Sequence, residues 1–480
     1  MKPGLFAILL AATAAIPAVP ALAQGQAQAP AADAFPPAPP IADPKPFTLP
    51  ASERFTLPNG MTVTLIPYGV APKTVVSLRI GAGDAMAPQP WLARLTAEMM
   101  REGAGGRSAA DLATAAAAMG SDLDVGAGML GTSVRMDVLS EHAADAIALI
   151  GDVAMRADLP ADALARVKAN LGRNLSVALS QPGTLANIAM VRTVYGPDHP
   201  FGRVVPTPAQ LQGYSIDAVR GFYRDQFGAK RASLYIAGRF DAAAVKAAVT
   251  RVFGGWAAGP APTRIDAPHQ PGPKLVLVDR PGAPQTTLRL VYDAPVAGSA
   301  GDIPMRVAND LLGGAFSSRI TTNIREDKGY TYSPGSGIDF NPGEALWAFE
   351  ADVTTKDTGA ALHEVFKEVR RMQTEAPGED EARGIRTYMA GSFAIRNSTA
   401  AAVVSTLTQR DVLGLPADWT ERYVPAVLAV TPAQMQAAVA TNLPLDKATL
   451  VVVGDLKTVE PQLKAQPELA NLPVVRPTVP

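Results

Sequence analysis

Residues 215–240, SIDAVRGFYRDQFGAKRASLYIAGRF, lie without a gap over residues 431–456, TPAQMQAAVATNLPLDKATLVVVGDL, 216 positions further along the chain. Each copy opens on a residue suited to cap a helix, Ser215 or Thr431, whose side-chain oxygen can accept from a first-turn amide. Arg231-Ala232-Ser233-Leu234 then matches Lys447-Ala448-Thr449-Leu450, and each strand closes on a glycine, Gly238 or Gly454. Agreement of cap, apolar pattern and terminal glycine over 26 residues points to a duplicated unit.

Outward from this repeat the chain alternates strands and helices. Residues 54–67 (RFTLPNGMTVTLIP) hold Asn59-Gly60 between two strand-like runs, a hairpin signal. Residues 74–80 and 133–138 read as strands. Residues 91–101, 111–119, 143–155, 161–179 and 215–227 read as helices, with Trp91, Leu95 and Met99 on one face of the first. The second half repeats this more loosely, with strands at 274–279 and 286–292 and a helix from Pro304. The Pro/Gly-rich residues 254–272 separate the halves. The fold class expected is α+β, two homologous sandwich halves in sequence.

Composition narrows the chemistry. The 480 residues contain no cysteine, so disulfides, thiolate metal sites and cysteine nucleophiles are excluded. Lys+Arg 43 against Asp+Glu 44 gives net charge -1, and no global field recruits nucleic acid. His142, His199, His269 and His363 are scattered, and none forms a local two-histidine metal motif.

The N-terminus reads as an address. Lys2, the apolar run over residues 5–15 and Ala21-Leu22-Ala23 make a cleavable signal peptide with cleavage after Ala23. The run is too short for a membrane span of about 20 residues. An Ala/Pro-rich tether follows over residues 24–47. A periplasmic location is expected.

Two motifs of the second half carry a resemblance. Gly313-Gly314-Ala315-Phe316-Ser317-Ser318-Arg319 is followed by Ile324-Arg325-Glu326-Asp327-Lys328-Gly329-Tyr330-Thr331-Tyr332-Ser333. With the duplicated halves and the opening hairpin, this resembles the pitrilysin or insulinase family of zinc peptidases. Mitochondrial processing peptidase subunits and respiratory-complex core proteins share that fold. The resemblance implies a clamshell, with a first domain at 48–253, a linker at 254–272, a second domain at 273–460 and a tail at 461–480.

Active members of that family carry H-x-x-E-H on a helix, where two histidines four apart share a face and bind zinc, and the glutamate serves as general base. Aligned on Met99, the corresponding positions here are Arg94, Ala97 and Glu98, and the third ligand falls near Asn174. A fixed cation at the first position opposes a dication. Arg94 and Glu98, four apart, are expected to form an intrahelical ion pair, and no metal is expected in this chain.

The resemblance also implies that Arg325 and Tyr332 bind a peptide backbone near its scissile carbonyl. Read without it, Arg325 would cap a helix end or pair with Glu326 or Asp327, and Tyr332 would be a half-buried strand residue. The family's substrate-binding sheet edge corresponds by order to residues 127–135 (AGMLGTSVR). The function expected is a non-catalytic, peptide-binding subunit that is inactive alone and active in a heterodimer with a zinc-bearing paralogue. A stand-alone peptide-binding or assembly protein, and an active metallopeptidase with an atypical site, stay open as alternatives.

Overall fold

The computed structural model describes residues 47–265 and 272–478. The segments read from sequence as a signal peptide and, up to residue 46, a tether lie outside the described residues, as does His269.

In the first half the strands are β1 (Glu53–Thr56), β2 (Thr62–Pro67), β3 (Lys73–Ile80), β4 (Asp124–Ala127), β5 (Thr132–Leu139) and β6 (Ala232–Gly238). They form a sheet in the order β1-β2-β6-β3-β5-β4. The second half supplies β7 (Lys274–Asp279), β8 (Gln285–Asp293), β9 (Gly335–Asn341), β10 (Glu344–Thr354), β11 (Thr449–Gly454) and β12 (Val474–Val475). These form a sheet ordered β9-β10-β8-β11-β7-β12. The central strands repeat in order and direction: β2 pairs parallel with β6 and β7 with β11, while β3 and β8 run antiparallel to those partners. The α+β fold of two homologous halves is therefore the observed one.

The repeat that opened the sequence reading occupies equivalent places. Ser215 accepts from the Ala218 amide at 3.2 Å, and Thr431 forms a capping box with Gln434. Gly238 has φ +131, and a Cβ there would lie 2.1 Å from the Lys73 carbonyl oxygen. At Gly454 a Cβ would meet Thr286 Oγ1 at 2.8 Å. Both strand ends press against the neighbouring strand, which is why each is glycine.

One face of each sheet packs on helices of its own half. Helices α1 (Leu92–Met100), α2 (Ala143–Met155), α3 (Leu164–Ser180), α5 (Ile216–Gln226) and α6 (Ala242–Phe253) cover the first sheet. Its core includes Leu65, Leu78, Met99, Ile147, Phe222 and Phe253. Trp347, Phe349, Met305 and Phe366 hold the equivalent core of the second half.

The opposite faces are covered by an exchange that sequence order hides. Helix α4 (Pro182–Tyr195), of the first half, lays Leu185, Ala189 and Val194 against Val276, Val291 and Val453 of the second sheet. Helix α10 (Ala400–Val412), of the second half, lays Val403, Val404 and Leu407 against Ile66, Val75 and Ala237 of the first. Between α6 and α10 in the chain lie α7 (Asp302–Asn309), α8 (Thr358–Thr374) and α9 (Glu379–Arg396). With both faces covered, the inner strands become continuous apolar runs, and every residue of β11 is buried.

Candidate functional site

Helix α1 carries Arg94, Ala97 and Glu98, the positions that the resemblance aligns with the zinc motif. Its N-terminus is held by Asp84, whose Oδ1 accepts from the Ala93 amide at 3.1 Å, and burial pushes that carboxyl up to about 6. Trp91, at the N-cap, adopts φ +61, a conformation rarely held by a bulky residue. Its indole Nε1 donates to the Val204 carbonyl at 2.9 Å. The Arg94 guanidinium lies 4.4 Å from the Trp91 ring centre.

This corrects the expected ion pair. Glu98 instead has Arg101 Nη1 at 3.7 Å, while Arg94 stacks on Trp91 beside the Asp84 carboxylate. An aromatic face one turn back and a buried carboxylate outcompete a solvated i,i+4 partner. Ala97 is 1% exposed within the core and offers no base. Asn174 stands exposed on α3. A cation, a methyl group, a paired carboxylate and a neutral amide are not a donor set for zinc. Among the described residues, no group of three His, Cys, Asp or Glu could hold a metal ion.

The sheet-edge expectation also needs correction. Only Ala127 of residues 127–135 lies on the edge strand β4, whereas residues 132–135 lie on β5, paired on both sides. The intervening turn docks on the loop before α1, with the Asp84 amide donating to Gly128 O and the Ala85 amide to Met129 O.

The second-half motif builds an exposed cluster. The glycine turn packs against β9, since a Cβ on Gly313 would lie 2.5 Å from Ser336 Oγ. Asn309 Oδ1 accepts from Ser336 Oγ at 2.8 Å and from Trp347 Nε1 at 2.7 Å, tying helix, edge strand and core together. Arg319, half-buried, forms a bidentate pair with Glu381, at 2.8 and 2.7 Å, so this arginine is structural.

Arg325 lies on a π-helical turn, Thr322–Asp327. Gly329, at φ +65, lets the chain reverse, and the Tyr330 amide donates back to Ile324 O at 2.9 Å. Thr331 then bridges to Val353 of β10, and Tyr332 projects from that anchor at 80% exposure. The guanidinium of Arg325 lies 4.4 Å from the ring centre of Phe316 and 5.1 Å from that of Tyr332. Its Nε sits 3.3 Å from Glu326 Oε1, so the pairing with Glu326 read from sequence is present. Tyr332 is not a half-buried strand residue, because β9 begins only at Gly335. Phe316, 70% exposed, completes the cluster and was missed. Its signal was available: one large apolar residue in a turn of glycine, alanine and serine. Held against two rings, the guanidinium offers N–H donors to a carbonyl or carboxylate, with aromatic surface alongside.

Residues 214–389 match the family model described as "Peptidase M16 inactive domain". A protein of Mycobacterium bovis named an uncharacterized zinc protease is 26% identical over 332 residues, covering 68% of this chain and 74% of its own. One of Bacillus subtilis with the same description is 23% identical over 285 residues, covering 58% and 68%. The crystal structure of a peptidase M16 inactive domain from Pseudomonas fluorescens superposes with TM-score 0.78 at 22% identity, covering 84% of this chain and 98% of its own. A protease from Helicobacter pylori superposes with TM-score 0.78 at 14% identity, covering 85% and 100%. Fold and sequence place the chain among M16-like proteins, and its described residues hold no group that could bind a metal ion. Residues 214–389 thus carry an M16 inactive domain, and the chain resembles M16-type zinc-protease relatives in sequence and an M16 inactive-domain structure in fold.

Proposed function

We propose that this chain is a peptide-binding subunit that supplies Arg325 and Tyr332 to a zinc-bearing M16 relative, with which it forms a heterodimer in the periplasm. The observation that carries this reading is the contrast between the halves. Helix α1 offers Arg94, Ala97 and a single carboxylate, Glu98, at the aligned positions, while Arg325 stands in an exposed aromatic setting with Phe316 and Tyr332. In the complex, Arg325 and the Tyr332 hydroxyl donate hydrogen bonds to the peptide carbonyl oxygen as negative charge develops there. Water activation belongs to the partner's zinc. The signal-like N-terminus supports the location.

The test is co-expression of this chain with a zinc-motif relative from the same genome, assayed on a quenched fluorescent peptide. The pair is expected to cleave at least about a hundredfold faster than either chain alone, and Arg325→Ala to remove most of that gain. A partner that cleaves equally well alone, or a pair indifferent to Arg325→Ala, overturns the reading.

A further inference from the structure

A cavity of about 530 Å³ lies at the seam of the two halves, away from the Arg325 cluster. Its walls come from the ends of β1, β3 and β6, from residues 262–265 after α6, from the β9–β10 turn at Pro342 and Gly343, and from the end of α10. Arg54, Arg79, Lys230, Arg231 and Arg264 line it, and among the described lining residues Asp411 is the one carboxylate.

That carboxylate is already engaged. Asp411 accepts from Arg54 at 3.1 Å, from the Tyr235 hydroxyl at 2.7 Å and from Arg410 at 2.8 and 3.0 Å. Arg79 donates to a neutral acceptor, the Leu130 carbonyl, at 2.7 Å. Arg231, 9% exposed, donates to the Ala261 carbonyl, the Gln226 amide and the Thr263 hydroxyl, all neutral. Burial lowers the pKa of both guanidinium groups, as expected where cations are desolvated without full compensation. Lys230 is exposed at the rim and makes no ion pair among the described residues. Met86, Leu130, Ile265 and Val412 add apolar surface.

Arg79 and Arg231, partly desolvated against neutral acceptors, with the exposed Lys230 beside them, favour an anion. The volume falls within the range of small-molecule sites, about 300–1,000 Å³, and exceeds what one inorganic ion fills. We infer that the seam cavity binds a small organic anion of multiple charge, a phosphate ester or polycarboxylate, with Arg79, Lys230 and Arg231 as its principal charged contacts. Such a ligand touches both halves and residues 262–265, so its binding also tightens their association.

The test is isothermal titration calorimetry on the full chain with inorganic pyrophosphate and, separately, citrate, at ionic strength held constant with chloride. Saturable one-to-one binding is expected in at least one arm, weakened at least about tenfold by Lys230→Glu and by Arg79→Met. Pyrophosphate binding alone identifies a phosphorylated ligand, and citrate binding alone a carboxylate one. Lys230 is exposed, so its variant decides the matter if Arg79→Met does not fold. No binding in either arm, or binding unchanged by Lys230→Glu, overturns the assignment. The experiment contains neither peptide nor partner, so its failure and that of the peptide reading are distinguishable.

Discussion

The guanidinium of Arg325 lies 5.1 Å from the ring centre of Tyr332, seven residues further along the chain, because Gly329 turns the backbone between them. A lysine keeps the charge but loses the planar fork and its stacking. Arg325→Lys is therefore expected to weaken peptide binding by the assembled pair at least about tenfold, measured by fluorescence anisotropy. Thermal stability should shift by no more than about 0.5 kcal/mol, as for an ordinary surface substitution.

Arg94 and Glu98 are predicted to be energetically independent, since each has another partner. A double-mutant cycle with Arg94→Ala and Glu98→Ala, read by urea unfolding, should give a coupling below about 0.2 kcal/mol, smaller than a helical i,i+4 pair. A coupling near 0.5 kcal/mol would restore the intrahelical pair.

Leu407 belongs to the second half by sequence and to the first by packing. Leu407→Ala should cost about 2–5 kcal/mol, as for other large-to-small core changes. Amide hydrogen exchange should show the lost protection in β2, β3 and β6, and protection loss confined to the second half would contradict the exchange of helices.

The two repeat glycines should differ in cost. Gly238→Ala forces a Cβ against the Lys73 carbonyl at φ +131 and should cost at least about 3 kcal/mol. Gly454→Ala meets the movable side chain of Thr286 and should cost less, by chemical denaturation of both variants.

Asp84 links stability to pH. Its folded value of about 6 exceeds the ordinary 3.8, so the folded state holds the proton more tightly. The group's contribution is then greatest below about pH 4, falls as pH rises to about 6 and is constant above. Asp84→Asn keeps an acceptor for the Ala93 amide and should remove this slope, worth at most about 3 kcal/mol across the window. A wild-type stability profile that stays parallel to the variant's from pH 4 to 7 would contradict it.

Much of the fold was legible because local signals agreed with the final structure. Asn59-Gly60 makes the β1–β2 hairpin, and Ser215 and Thr431 cap the helices they were expected to cap. That Arg94, Ala97 and Glu98 share one helix was equally plain, since residues at helical spacing fall in one element. Phe316 and Trp91 were harder. Each acts on a cation through space, Phe316 on Arg325 and Trp91 on Arg94, and side-chain direction depends on a π-helical turn or a positive φ that no periodicity reveals.

By itself the sequence determined the duplication, the α+β class, the absence of a local zinc motif and the placement of Arg325 and Tyr332 in one motif. These follow from patterns within a few turns of chain, where spacing alone dictates which residues share a face. Tertiary structure decided that α4 and α10 cover each other's sheets, that Arg94 abandons Glu98 for Trp91, and that Arg79 and Arg231 converge on one cavity. Those choices depend on contacts between segments far apart in sequence. They are settled by which apolar faces and charges find burial and partners when the two halves close together.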